Sequence, residues 1–126
     1  TELTAIGRGE WPAITQVVFR NYQWGAEKRN STLWYDDNFV GTELDTQVSY
    51  AGIAKACGLQ GVVARTMEEL TAALRKAVDD QMNHGKTTLI EAMINQELGE
   101  PFRRDAMKKP VEVAGISAAD MRPQKG

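Results

Sequence analysis

Residues 61–94, "GVVARTMEELTAALRKAVDDQMNHGKTTLIEAMI", decide the fold class, because an amphipathic segment separates two short apolar runs. Thr66 is followed three residues later by Glu69, which is the spacing of a capping box, so we expect a helix to begin there. Asn83-His84-Gly85 ends this helix, since glycine suits a left-handed C-terminal cap. The apolar face predicted for the helix contains Met67, Leu70, Leu74, Ala77 and Val78.

Three apolar runs predict β-strands. Gly61–Ala64 precedes the helix and Thr87–Ile94 follows it. The third run, Ala13–Phe19, is rich in branched side chains and lies between Pro12 and Asn21, which predicts a strand buried on both faces. Strands that alternate with amphipathic helices pair in parallel through helical crossovers. We therefore expect a three-layer α/β domain with a mainly parallel sheet.

Two segments lie between the first and second strands. Tyr50, Ile53, Ala54 and Cys57 recur at helical spacing and Gly58 follows them, which predicts a helix of about three turns with a glycine cap. The polar segment from Gln23 to Thr46 has scattered apolar residues without a regular period, so we expect a short helix and a loop there.

Composition excludes several classes of partner. The chain has 126 residues, a formal charge of −2 and 25% charged residues, without the basic excess of a nucleic-acid-binding protein. No apolar stretch is long enough to cross a membrane, so no membrane partner is expected. The single cysteine, Cys57, cannot form an internal disulfide, which favours a reducing cytoplasm.

The carboxyl end of the first strand is a candidate ligand site. In open α/β sheets, ligands gather beyond the carboxyl ends of the strands, and Asn21 and Gln23 stand at such an end. The Asn21 side-chain oxygen and a backbone carbonyl at Gln23 are hard ligands that suit magnesium. The alternative is structural: Asn21 stops the strand and caps the segment after it.

The same stretch, "VVFRNYQWGAEK", resembles the second half of the signature of thiamine diphosphate enzymes. In that family an aspartate, an asparagine side chain and the carbonyl two residues later hold the magnesium that carries the cofactor diphosphate. The resemblance implies that Asn21 and Gln23 are magnesium ligands. It further implies that Tyr22, Trp24 and Gly25 shape the cofactor loop, and it assigns no catalytic residue to this chain.

The resemblance runs from about Trp11 to Val111 and implies a partial thiamine diphosphate-binding fold. "SYAGIAKACGLQGVVARTMEELTAAL" and "GKTTLIEAMI" are similar to the elements that come after the family's cofactor loop. We expect residues 1–114 to be the C-terminal part of that domain and residues 115–126 to be a flexible tail. "NYQWGAEKRN", "DQMNHGKTTLIE" and "ELGEPFRRDAMKKPV" resemble desulfonating acetyltransferases of the family, which implies conversion of sulfoacetaldehyde and phosphate to acetyl phosphate and sulfite.

The sequence departs from the family at two points. No Gly-Asp-Gly occurs, so one metal ligand is missing, and there is no room for the domain that supplies the activating glutamate. Three interpretations stay open: a fragment of the acetyltransferase, a fragment of another thiamine enzyme such as an acetolactate synthase relative, or a non-catalytic remnant that binds a partner chain. Substrate contacts would lie largely outside this chain.

An apolar edge predicts self-association. Ala13–Phe19 contains no proline or charge, and in the resembled fold it pairs with a strand absent from this sequence. Such edges recruit other chains, so we expect a homo-oligomer with Trp11, Val17 and Phe19 near the contact.

Other conspicuous residues are interpreted as structural. We expect His84 to cap a helix and Cys57 to fill the core. Asp36-Asp37 predicts an exposed turn. The basic cluster, which we expect to be solvated, contains Arg103, Arg104, Lys108 and Lys109.

Overall fold

The computed structural model describes residues 2–97. They form two compact units, the first from residues 2–22 and 45–95 and the second from residues 23–44 and 96–97. The elements are α1 (Glu2–Gly7), β1 (Thr15–Arg20), α2 (Gly25–Trp34), α3 (Tyr50–Ala56), β2 (Gln60–Ala64), α4 (Met67–His84) and β3 (Thr88–Met93). Among these residues, no helix combines the length and the apolar character that crossing a membrane requires.

The first unit contains a three-stranded parallel sheet in the order β1-β3-β2. Thr88 of β3 is in register with Thr15 of β1 and with Gln60 of β2. The central strand is buried along almost its whole length, and Leu89 and Ile90 are at most 2% exposed. The α/β class with a parallel sheet is confirmed.

Helix α4 begins and ends as the sequence predicts. The Thr66 hydroxyl accepts a hydrogen bond from the Glu69 N–H at 3.2 Å, and Gly85 closes the helix in the left-handed conformation with φ of 61°. The Glu69 carboxylate accepts from the Arg65 N–H rather than from the N–H of Thr66. Ala77 of the helix forms the core together with Ala64 of β2 and Ile90 of β3. Leu70, Ala73 and Leu74 of the helix and Val17 of β1 pack around it.

The apolar face of α4 is narrower than predicted. Met67 and Val78 are 69% and 50% exposed, so their assignment to the packed face was wrong. Leu70, Leu74 and Ala77 lie against the core, whereas Met67 and Val78 lie at the margins of that stripe. A helix that packs against a sheet buries only the side chains directed at it.

Helix α3 approaches β2 closely. It has seven residues, which is shorter than predicted, and the Ser49 hydroxyl caps it by accepting from the Gly52 N–H at 3.1 Å. A Cβ on Gly61 would lie 2.0 Å from the Ala51 carbonyl oxygen. Glycine is therefore required at position 61 for the helix to pack on the strand.

Two expectations about the N-terminal part were wrong. Strand β1 begins at Thr15 rather than Ala13, and it is not buried on both faces, since Phe19 is 68% exposed. Within the described residues β1 pairs only with β3, and Val17 turns toward the core. Helix α1 was not expected. The predicted tail and the basic cluster lie outside the described residues.

Candidate functional site

The chain leaves β1 at the carboxyl edge of the sheet, where ligands gather in parallel α/β folds. Arg20 is the last residue of β1, and its carbonyl accepts a hydrogen bond from the Ile94 N–H at 3.1 Å. This bond continues the β1–β3 ladder past the end of β3. It therefore fixes the peptide that joins Arg20 to Asn21.

A buried ion pair lies beneath this edge. The side chains of Arg20 and Glu91 are 2% and 4% exposed, and Arg20 Nε lies 3.5 Å from Glu91 Oε1. Arg20 Nη2 also donates to the carbonyls of Asp45 at 2.5 Å and Val48 at 3.1 Å. Because a buried charge is tolerated only when it is paired and hydrogen-bonded, these contacts fix the guanidinium in one place.

The other oxygen of Glu91 connects the pair to α3. Glu91 Oε2 accepts from the Ser49 hydroxyl at 3.0 Å and from the Ala51 N–H at 3.1 Å. The Ala51 N–H lies in the first turn of α3, where the helix has donors without intrahelical partners. Glu91 thus joins the central strand, the cap of α3 and the end of β1.

Two aromatic rings contact the guanidinium. The Arg20 carbon Cζ lies 4.3 Å from the centroid of the Tyr22 ring and 4.7 Å from that of Tyr50. Tyr22 has a positive φ of 58°, a left-handed conformation that is unfavourable for a residue with a Cβ. The ring contact with Arg20 offsets part of this strain.

The second unit begins at Gln23. Its side chain is buried, and Nε2 donates to the Gln96 carbonyl at 2.8 Å. Gln23 forms an isolated antiparallel bridge with Glu43, where the Trp24 N–H donates to the Thr42 carbonyl at 2.7 Å. These bonds fix the Gln23 side chain and the peptide that joins Gln23 to Trp24.

Trp24 and Gly25 lead into α2. Trp24 is the N-cap of the helix and its side chain is 54% exposed, while Gly25 is the first helical residue. The backbone of Trp24 therefore shapes this turn, while much of its side chain is exposed to solvent.

A charged contact supports the second unit. Lys28 forms an ion pair with Glu43, and the Gln96 side-chain amide donates to the other Glu43 oxygen at 3.1 Å. The hydrogen bond from Lys28 lowers the pKa of Glu43 below its usual 4.5, and the Gln96 bond acts in the same direction. Glu43 is thus held ionised over a wider pH range.

The donors at Asn21 and Gln23 have the chemistry that magnesium requires. An amide oxygen and a backbone carbonyl oxygen are hard, neutral ligands, and magnesium favours such oxygens together with carboxylates and phosphates. These two donors therefore suit the ion by chemical type. Asn21 and Tyr22 belong to the first unit and Gln23, Trp24 and Gly25 to the second. The assignment of Asn21 and Gln23 as magnesium ligands stays a prediction.

The other conspicuous residues lie outside the stretch of sequence that forms the candidate site. Asp36 and Asp37 form a turn with positive φ, as expected, and Cys57 is half-buried at the end of α3. His84 Nε2 lies 3.7 Å from Asp79 Oδ2. Potential ligand atoms of His84, Asp79 and Asp80 lie within 4.8 Å of one another, a cluster that the sequence pattern did not predict.

Sequence reasoning also missed Arg20 and Glu91. Each is a charge within or at the end of an otherwise apolar run, "ITQVVFR" and "TTLIEAMI". Charges in buried strands require a partner, and in this sheet the pairing of β1 with β3 brings Arg20 near Glu91. That signal was present, but the partner could be identified only from the strand order.

Comparison with known families agrees with the fold. Residues 1–92 match the model of the C-terminal TPP-binding domain of thiamine pyrophosphate enzymes. The chain therefore belongs to this family, and the resemblance drawn from "VVFRNYQWGAEK" is confirmed.

Individual curated proteins within this family are highly similar to the chain. The chain is 87% identical over 98% of its length to sulfoacetaldehyde acetyltransferase of Rhodobacter capsulatus and 84% identical over 98% to that of Roseovarius nubinhibens. It is 54% identical over 79% of its length to the enzyme of Castellaniella defragrans. It spans 21%, 20% and 17% of these relatives, respectively, or about a fifth of their length.

Proposed function

We propose that this chain is the C-terminal part of the cofactor-binding domain of a sulfoacetaldehyde acetyltransferase. The 87% identity to the Rhodobacter capsulatus enzyme over 98% of the chain carries this proposal. The full-length protein would convert sulfoacetaldehyde and phosphate to acetyl phosphate and sulfite. Its cofactors would be thiamine diphosphate and magnesium.

The role of this chain is to bind and orient the cofactor. When bound, thiamine diphosphate supplies an electron sink for carbanion chemistry. The Asn21 side chain and the Gln23 carbonyl would hold the magnesium that neutralises the diphosphate, while Tyr22, Trp24 and Gly25 set the course of the backbone. The catalytic groups and most substrate contacts would come from other parts of the full-length protein.

The test is Asn21→Ala in the full-length protein. Calorimetric titration of the apoprotein with thiamine diphosphate at fixed magnesium should show roughly a tenfold or greater weakening, because one metal ligand is lost. Sulfite release from sulfoacetaldehyde in phosphate buffer should fall with it. Asn30→Ala on the exposed surface of α2 is the control and should leave both unchanged. Unchanged cofactor affinity in Asn21→Ala would contradict the assignment of this residue.

Assembly and location form part of the proposal. We infer a homo-oligomer, supported by the exposed apolar side chains of Phe19 and Trp11 at 68% and 64%. A cytoplasmic location is supported by the single half-buried cysteine, Cys57, which is compatible with a reducing compartment.

A further inference from the structure

We propose that Tyr22 is a positioning residue that orients the Asn21 side chain for metal binding, with the buried Arg20–Glu91 pair as its anchor. This inference rests on the proposed function, because it gives a role to residues around the ligand assigned there. It concerns only the first unit of the structure.

The anchor is rigid because the guanidinium contacts a carboxylate, two backbone carbonyls and two aromatic rings. Arg20 contacts the Glu91 carboxylate at 3.5 Å and the carbonyls of Asp45 and Val48 at 2.5 and 3.1 Å. Tyr50 contributes a ring at 4.7 Å. Glu91 is itself fixed by hydrogen bonds from Ser49 and Ala51. A planar guanidinium with these neighbours has little freedom to rotate.

Tyr22 transmits this rigidity to the loop. Its ring contacts the guanidinium at 4.3 Å while its backbone is in the left-handed conformation, at φ of 58°. For a bulky aromatic residue that conformation is uncommon and is sustained by its surroundings. Without the ring contact, the backbone at Tyr22 would be free to relax to negative φ and would turn the peptide that comes after Asn21.

Asn21 is thereby held from both sides. The peptide before it is fixed by the hydrogen bond from the Ile94 N–H to the Arg20 carbonyl at 3.1 Å, and the residue after it is held by the stacked ring. Magnesium demands near-ideal octahedral geometry, so a ligand oriented in advance binds it with a smaller ordering penalty. Calcium accepts irregular geometry and depends less on such orientation.

The experiment uses the full-length apoprotein and measures thiamine diphosphate affinity by calorimetry. Tyr22→Leu removes the ring and should weaken binding in magnesium roughly 5- to 20-fold, within the range expected for a desolvated cation–π contact. The loss of thiamine diphosphate affinity in calcium should be smaller. The ratio of the affinity in magnesium to the affinity in calcium should therefore fall. A purely structural role would weaken binding with both ions equally.

Two controls separate orientation from stability. Tyr22→Phe keeps the ring and should bind as the wild type does. Leu74→Ala removes apolar contacts to the core of α4 and should lower Tm as Tyr22→Leu does, but it should change cofactor affinity less than twofold, since Leu74 packs against Ala64, Ala77 and Ile90.

A double-mutant cycle tests whether Tyr22 acts through Asn21. If Tyr22 acts through Asn21, Tyr22→Leu should have no further effect on affinity in an Asn21→Ala background. Full additivity, or unchanged magnesium-dependent affinity in Tyr22→Leu while Asn21→Ala weakens binding, would overturn the positioning role and leave the proposed function intact. Unchanged affinity in Asn21→Ala would instead overturn the ligand assignment and, with it, this inference.

Discussion

Arg20 and Glu91 form an ion pair, with Nε and Oε1 3.5 Å apart, in which neither side chain is more than 4% exposed. The pair joins an outer strand to the central strand of the sheet, at the edge where Asn21 leaves β1. Since α3 and the loop at Asp45 also contact it, the pair connects most of the elements around the candidate site.

Glu91→Gln should destabilise the chain because it leaves the Arg20 charge buried without a counter-charge. We expect the free energy of unfolding to fall by about 3 kcal/mol. Urea denaturation followed by circular dichroism measures it, with Glu10→Gln on the surface as the control. The double change Arg20→Met with Glu91→Leu should recover part of the loss, since no charge then remains buried. Equal stability of Glu91→Gln and Glu10→Gln would contradict the importance of the pair.

Gly61→Ala should disrupt the packing of α3 on β2. The added Cβ would lie 2.0 Å from the Ala51 carbonyl oxygen, so helix and strand must separate. We expect a loss of about 2 kcal/mol in the free energy of unfolding. Gly52→Ala in α3 is the matched control: its Cβ meets Ser49 Cβ at an ordinary 3.4 Å, and helix propensity should make it neutral or stabilising. Equal effects of the two changes would show that the close approach is unimportant.

Lys28→Met should raise the pKa of Glu43 toward its usual 4.5, because the hydrogen bond from Lys28 is the main cause of its lowering. A carboxyl with a lowered pKa in the folded state stabilises the fold above its unfolded pKa. That contribution is lost as the pH falls through the lowered value. Carbon-13 NMR titration of the Glu43 carboxyl measures the shift.

Glu68 is the internal reference for that titration. Local hydrogen bonds at the start of α4, from its own backbone and from Thr66, lower the pKa of Glu68. Its titration should therefore be the same with and without Lys28. A Glu43 titration insensitive to the substitution would mean that the ion pair does not persist in solution.

The 126-residue chain alone should bind magnesium and thiamine diphosphate weakly or not at all. Asn21 and Gln23 provide two of the three protein ligands implied by the family resemblance, and magnesium affinity depends on carboxylate ligands. Calorimetric titration at millimolar cofactor is the measurement, with the full-length protein as the comparison. Tight, magnesium-dependent binding by the short chain would show that another group replaces the missing aspartate.

The same chain should associate through the outer edge of β1. Phe19→Lys is the change to make, because Phe19 is 68% exposed, whereas Val17 packs against the core and its substitution would unfold the strand. Light scattering across a dilution series should show weaker association, and circular dichroism should show unchanged helix content. Val63→Lys on β2 tests the opposite edge and should have little effect. A monomer at every concentration for the wild type would refute the expectation.

Local signals in the sequence predicted the elements well where one short-range contact determines them. The Thr66 cap and the Gly85 stop of α4 need only neighbouring residues, and both were found as predicted. The burial of β1 depends on which elements cover each of its faces. A run of apolar residues in the sequence does not show this. Phe19 was therefore placed inside although it is exposed.

The sequence predicted the contiguous residues of the candidate site but not the contacts that distant segments make with them. Asn21, Tyr22, Gln23, Trp24 and Gly25 are contiguous, so their motif is visible in the sequence. The contacts around them join distant segments: Ser49 and Glu91 are 42 residues apart, and Gln23 and Gln96 are 73 apart. Such pairs result from strand order and register, which depend on the packing of the whole sheet.

The strand order has a consequence for the synthesis of the protein. The central strand of the sheet, β3, is made after the two strands that flank it in the described residues, and the contact from Ile14 to Thr87 closes a loop across 73 residues. A nascent chain that ends before Thr88 has two outer strands with no strand between them to pair with. Because distant closures are slow, β2, α4 and β3 are expected to associate first and β1 to dock afterwards. Translation must therefore pass Met93 before the end of β1, with Asn21, can take its final position.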